Sequence, residues 1–245
     1  MDHLTGRVAL VTGGAQRVGA GIVHELHARG MQIMVHYRSS GEAATRLVDE
    51  LNARREDSAA SVGADLADPQ TPQRLVSLLT ARFGGLDLLV NSASAFVHAA
   101  LAALTVTQWQ KLIAANLTAP LFLSRAFAPL LAEHEGTIVN ITDAYAARLP
   151  AGYAAYAATK AALADLTRSL ARELAPKIRV NAVAPGAILW PQPEPEEAAK
   201  QKVLASIPLA RLGAPDDIAR AVAFLAAEPY LTGVILPVDG GRSLF

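Results

Sequence analysis

Val8-Ala-Leu-Val-Thr-Gly-Gly-Ala-Gln-Arg-Val-Gly19 is the stretch on which the fold turns. A short apolar run suited to a buried strand breaks into glycines and then becomes a helix. This setting leaves N–H groups free at a helix N-terminus, where a pyrophosphate is held, and glycines let the backbone approach it closely. The spacing Thr12-Gly13-x-x-x-Arg17-x-Gly19 is not the common Gly-x-Gly-x-x-Gly. Alone, the turn fits an ordinary strand–turn–helix equally well. A second feature tips the balance. Tyr156 and Lys160 lie four apart in Ala154-Ala-Tyr-Ala-Ala-Thr-Lys-Ala-Ala-Leu163, which on a helix puts both side chains on one face. A free phenol titrates near pH 10, and a neighbouring ammonium favours its phenolate, so the pair suits proton transfer.

Outward from the turn, short apolar runs alternate with helical stretches. Strands are expected at Val8–Thr12, Gln32–Tyr37, Ala60–Ala64, Leu86–Asn91, Thr137–Thr142, Arg179–Ala184 and Val234–Val238, with helices beginning near Arg17, Gly41, Pro69, Thr107, Gly152, Glu196 and Pro215. Such alternation predicts an α/β fold: a doubly wound (Rossmann) sheet of seven parallel strands with right-handed crossovers, in one domain spanning residues 1–245. The cluster Pro191-Gln-Pro-Glu-Pro-Glu-Glu197 follows the sixth strand, at the carboxyl edge where ligands bind, and is expected to form a mobile substrate lid, or else a plain surface loop, within a loop around 187–206.

Composition narrows the classes. Apolar content is 52%, charged content 18% and formal net charge zero, which gives no footprint for nucleic acid or a membrane surface. Cysteine is absent, so disulfides and thiolate metal sites are excluded. The six histidines show no metal-binding spacing, and no metal is expected. Neither a secretory pattern nor an uninterrupted apolar run of about 20 residues is seen, and a soluble, cytoplasmic protein is expected.

The second strand ends in Tyr37-Arg38-Ser39-Ser40, with an arginine and hydroxyls where NAD-preferring sites carry an acid. This favours NADP(H), although the same residues could merely cap the next helix. Asn116 precedes Pro120 by four positions on a helical stretch. A helical proline leaves that carbonyl without its N–H partner and free to hold a water.

Taken together, these motifs resemble the short-chain dehydrogenase/reductase family over essentially the whole chain, with Arg17 where that family usually has its middle glycine. The resemblance implies cofactor contacts from Gly13, Arg17, Val18 and Gly19 on the turn, and from Tyr37, Arg38 and Ser39 after the second strand. It adds Asp65 and Leu66 in Gly63-Ala-Asp-Leu66, Asn91, Ala93 and Ser94 in Asn91-Ser-Ala-Ser94, and Pro185, Gly186 and Ile188 after Val180-Asn-Ala-Val-Ala. Tyr156 and Lys160 complete the cofactor set, Asn116 matches a proton-relay asparagine, and Val238-Asp-Gly-Gly241 matches the C-terminal end. A homotetramer is implied as well.

The family usually places a serine thirteen positions before the tyrosine; here that residue is Asp143. A carboxylate repels a developing oxyanion but suits a substrate that takes a proton on nitrogen. Arg17, Ser94, Phe96, Asp143 and Tyr156 resemble the substrate set of the pteridine reductases within this family. That implies a pterin or folate-like substrate clamped by Arg17 and Phe96, with Asp143 and Tyr156 delivering the proton. Tyr153 is expected either to line the pocket or to pack, and His98 to lie on the surface. Two rivals stand beside this expectation: a carbonyl reductase, for example of 3-oxoacyl thioesters, and a non-catalytic NADPH-binding regulator.

Overall fold

The central strands are covered on both faces by helices. Val8–Val11 (β1) and Leu88–Asn91 (β4) are buried at every position, as expected of parallel strands between helical layers. The computed structural model describes residues 4–191 and 193–244. The other strands are Gln32–Tyr37 (β2), Ala59–Gly63 (β3), Thr137–Ile141 (β5), Arg179–Pro185 (β6) and Ile235–Val238 (β7). All seven pair in parallel in one sheet, ordered β3-β2-β1-β4-β5-β6-β7.

The helices are Arg17–Ala28 (α1), Gly41–Arg54 (α2), Thr71–Phe83 (α3), Val106–Ile113 (α4), Ala119–Glu133 (α5), Ala154–Leu174 (α6), Glu197–Ala205 (α7) and Pro215–Ala227 (α8). Alternate strand residues feed opposite cores. Ala9, Val11, Ile33, Val35 and Val90 pack with Ile22 and Leu26 of α1 and Ile218 and Val222 of α8. Val8, Leu10, Met34 and Leu89 pack with Leu75 of α3, Leu123 and Phe127 of α5 and Leu170 of α6.

The expected elements are all found, with ends displaced by two residues or fewer. Asp87, just before β4, accepts the Val8 N–H on its carboxylate at 2.8 Å while its own N–H donates to the Val8 carbonyl at 2.9 Å. Ahead of Pro120 the helix is not broken: Ala114–Thr118 winds as a π-helical turn, and the chain stays helical from Val106 to Glu133. By length and composition alone that run could cross a membrane, but polar residues such as Gln108, Lys111 and Arg125 interrupt it and 39% of its most apolar window is buried. Its α5 portion packs against α3 and β4 in a core layer.

The chain reverses its direction of winding between β1 and β4. At such a switch point a crevice opens beyond the strand ends. The residues that follow β1 and β4 therefore meet there, ahead of those that follow β5 and β6.

Candidate active site

The floor of the crevice is the turn after β1, locked to the segment after β4. Thr12 Oγ1 accepts the N–H groups of Ser92 and Ala93, each at 3.0 Å. A side chain at Gly13 would have its Cβ 2.9 Å from the Ala93 Cα, and one at Gly19 would lie 2.1 Å from the Gly13 carbonyl oxygen. Both glycines are required by close approach. Gln16, at the N-cap of α1, makes no side-chain capping bond, so the helix end presents its backbone donors to the cleft.

Arg17 sits at φ 54°, in the left-handed region where the family usually has glycine. A non-glycine residue there costs roughly 1–2 kcal/mol. Strain of this kind collects at functional sites. Its guanidinium donates to the Trp190 carbonyl at 3.2 Å and so ties the phosphate turn to the loop after β6. Lys200, on α7, lies 5.9 Å from the Trp190 ring centroid and pairs with Glu194 of that loop at 2.6 Å. Gln192, part of the expected lid, lies outside the described residues.

A cleft of about 940 Å³ runs from this turn to α6. Gly13, Arg17, Val18, Gly19, Tyr37, Arg38, Ser39, Asp65, Leu66, Ala93, Ser94, Phe96, Asp143, Tyr156, Lys160, Pro185, Gly186 and Ile188 all line it. Two expected site residues do not. Asn91 is buried at the end of β4, where its Nδ2 donates to Asn140 Oδ1 at 2.8 Å, and its own Oδ1 lacks a partner among the described residues. It supports the wall from behind. Asn116 is fully buried on the π turn: its Oδ1 accepts from Ala95 N at 2.8 Å and Ser94 Oγ at 3.1 Å, and its Nδ2 donates to the Ala95 carbonyl and Thr159 Oγ1, each at 3.0 Å. The side chain therefore fixes the segment leading to Phe96 to the helix carrying Tyr156.

Sequence reading missed His36, 1% exposed in β2. Its Nδ1 accepts from Gly13 N at 3.3 Å and its Nε2 donates to the Ala64 carbonyl at 3.1 Å, which fixes a neutral ring. Burial holds its pKa below the ordinary value. Its one signal was a polar residue inside an apolar strand run. Gln110 and Lys111 of α4 also line the cleft, without a sequence signal beyond a polar helix face.

At the far end, Tyr156 and Lys160 share the inward face of α6, both buried. The Tyr156 hydroxyl donates to Asp143 Oδ2 at 3.0 Å, and Asp143 Oδ1 accepts the Tyr145 N–H at 2.7 Å. Lys160 Nζ donates to the Ile141 carbonyl at 2.8 Å and stands 5.9 Å from the Tyr156 ring centroid. Burial raises the Asp143 pKa, against hydrogen bonds from Tyr145 and Tyr156 and the charges of Lys160 and Arg242. Burial and then the Asp143 charge also raise that of Tyr156, whereas burial lowers Lys160 to about 8. The phenolate expected beside Lys160 is thus disfavoured in this arrangement: the hydroxyl faces a carboxylate, and the ammonium faces a carbonyl.

Phe96 is 57% exposed, an aromatic ring open to the cleft rather than a core residue. It meets Tyr156 edge-on with centroids 4.8 Å apart and lies 5.1 Å from Tyr153. Tyr153 lines a smaller adjoining cavity, and exposed His98 meets its ring at a tilt, with centroids 4.8 Å apart. Among the described residues no group of His, Cys, Asp and Glu side chains is placed to hold a metal ion.

A doubly wound sheet, a glycine turn at its switch point and a Tyr-x-x-x-Lys helix facing that turn define a nicotinamide-dependent oxidoreductase. A family model described as enoyl-(acyl carrier protein) reductase matches residues 13–243, and the chain belongs to this family of short-chain dehydrogenases/reductases. It is 36% identical to a 3-oxoacyl-[acyl-carrier-protein] reductase of Synechocystis sp. over the full length of both chains. It is 37% identical to the 3-oxoacyl-[acyl-carrier-protein] reductase FabG of Staphylococcus aureus, covering 95% of this chain and 96% of that one. Among solved structures, a blue fluorescent protein from a metagenomic library in complex with NADPH superposes with TM-score 0.91 at 37% identity, covering 98% of each chain. The family and fold expected from sequence hold. The names of these relatives side with the carbonyl-reductase rival rather than with pteridine reductases.

Proposed function

We propose that this chain is an NADPH-dependent reductase of a C=N bond in a pterin or folate-type ring, converting the dihydro to the tetrahydro form. One observation carries this reading: the Tyr156 hydroxyl donates to a buried carboxyl, Asp143, at the position where carbonyl reductases of the family need a neutral hydroxyl. A carbonyl reduced there would build negative charge against a carboxylate, whereas a ring nitrogen accepting a proton gains from one.

The glycine cradle and the cleft fit a dinucleotide. The N-terminus of α1 holds the pyrophosphate, and exposed Arg38 and Ser39 take the 2′-phosphate in preference to NAD. Bound NADPH supplies the hydride. The chain's own residues do the rest: Arg17 and Phe96 hold the ring over the cleft floor, Ser94 lines its edge, and Tyr156 passes a proton to nitrogen. Asp143, whose proton affinity burial raises, takes up and passes on the proton that reloads Tyr156. Lys160 binds the nicotinamide ribose, and Asn116 keeps the Ser94–Phe96 segment in register.

A second reading is favoured by the relatives named above: reduction of a 3-oxoacyl thioester, with Tyr156 and Lys160 in the same roles and Thr142 or a water in place of the family's serine. NADPH consumption measured on dihydrobiopterin, dihydrofolate and a 3-oxoacyl thioester side by side separates the two. Turnover on the pterin supports the first, turnover on the thioester alone replaces it with the second, and cofactor binding without turnover points to a regulator.

We also place the enzyme in the cytoplasm as one catalytic domain per chain and four chains per molecule, on kinship. Leu121 and Phe122 of α5 and Val106 and Trp109 of α4 leave apolar surface on one helical run for such assembly. A tetrameric mass in light scattering is the expected result.

A further inference from the structure

Tyr156 fixes one oxygen of Asp143; what fixes the other lies further from the cofactor. Asp143 Oδ1 is held by the Tyr145 N–H, and the Tyr145 ring is covered by the Arg242 guanidinium, 4.2 Å from its centroid. Arg242 stands on the short C-terminal turn Arg242–Leu244. Asp239 closes that turn by accepting from Gly241 N at 2.9 Å and Ser243 N at 2.7 Å. Arg148, at the end of the Tyr145 loop, donates to the Ser243 carbonyl. Arg242 Nε donates to Ser206 Oγ at 3.0 Å, at the end of α7. One half-buried cation thus joins the carboxyl loop, the substrate loop and the C-terminal turn.

We propose that Arg242 is a positioning residue for proton delivery: packed over Tyr145 and anchored to Ser206, it holds the Asp143 carboxyl in line with Tyr156. The proposal rests on the role given to Asp143 under Proposed function. A guanidinium laid flat on an aromatic ring keeps its charge while its geometry is constrained, which lysine cannot reproduce. The charged and titratable groups around the carboxyl are Tyr156 and Lys160 from α6 and Arg242 from the C-terminal turn. Those around Arg242 are Tyr145, Arg148 and Asp239. Of these, Arg242 is the cation that could be removed without touching the cofactor-facing pair.

The test is the pH dependence of kcat with dihydrobiopterin and NADPH for the wild type and for D143N, R242M, R242K and Y145L. Activity that needs protonated Asp143 falls as pH rises through its raised pKa, so D143N should lose this limb and keep only the separate fall as Lys160 deprotonates at about 8. R242M should lower the plateau several-fold, leave KM for NADPH unchanged, and move the limb upward by on the order of half a pH unit, since a lost cation raises a carboxyl pKa. R242K, which keeps the charge, should move the limb less while still losing plateau activity. Y145L, which keeps the backbone N–H but removes the stacking surface, should follow R242M in direction and provides the test if R242M does not fold. A limb that vanishes in D143N but stays in place in R242M and Y145L overturns the role of Arg242 alone. A limb below the Lys160 fall that survives D143N, or a wild type inert toward dihydrobiopterin, overturns the underlying reading as well.

Discussion

Asp143 holds its hydrogen bonds in a buried setting that favours the neutral acid, and two consequences follow at the scale of single residues. Catalytically, Tyr156→Phe removes the hydroxyl that meets the substrate. It should lower turnover by about 10²–10⁴-fold, the usual worth of a positioned general acid, while a fluorescence titration still finds NADPH bound. Retained turnover would remove Tyr156 from its assigned place. Thermodynamically, the Asp143 pKa is raised in the fold. Its contribution to stability is therefore full below the unfolded carboxyl pKa and is lost as pH rises through the folded one. Asp143→Asn takes away a group that must be buried charged at high pH. Its melting temperature relative to wild type should thus rise between pH 4 and pH 8; equal differences at both pH values would contradict the assigned direction.

Elements carry the site as units, and the π turn shows how. Pro120 supplies no N–H to the helix, and the wider winding of Ala114–Thr118 turns Asn116 inward onto both backbone groups of Ala95. Asn116→Ala leaves a buried N–H and C=O unmet. It should destabilise the protein by about 2–6 kcal/mol, at about 1–3 per orphaned group, and it should also cut turnover because Phe96 loses its register. Calorimetry and kcat on one variant measure both; a loss of activity at unchanged stability would separate the asparagine from the loop. Much of this was legible beforehand. The strand runs, the glycine turn and the Tyr-x-x-x-Lys helix are local patterns with fixed periods, and each landed within two residues. Asn116 was legible as a helix defect, but its bonds to Ala95 were not, because they join positions 21 apart that only the crossover brings together. Asn91 shows the same limit in reverse: its place in a motif was clear, its depth behind the wall was not.

At the scale of the whole molecule, the cofactor cleft is assembled from the ends of six strands, so a bound dinucleotide braces the sheet across its switch point. The edge beyond β2 should decide which dinucleotide does so. Arg38 is exposed at the cleft mouth, and among the described residues no hydrogen bond or ion pair engages it. A charge-assisted bond to a 2′-phosphate is worth about 2 kcal/mol, roughly thirtyfold in affinity. A ligand that binds only the folded state at a hundredfold excess over its Kd stabilises it by about 2.7 kcal/mol. For a chain of this size that corresponds to about 5–10 °C in melting temperature, at roughly 2–4 °C per kcal/mol. NADPH should therefore raise the melting temperature by this amount at concentrations where NADH raises it by much less, and Arg38→Ala should bring the two cofactors nearly level. Equal shifts with NADH and NADPH in the wild type would mean that the exposed arginine plays no part in choosing the cofactor. A shift with NADPH that persists in Arg38→Ala would move the choice to Ser39 and the free N-terminus of α2.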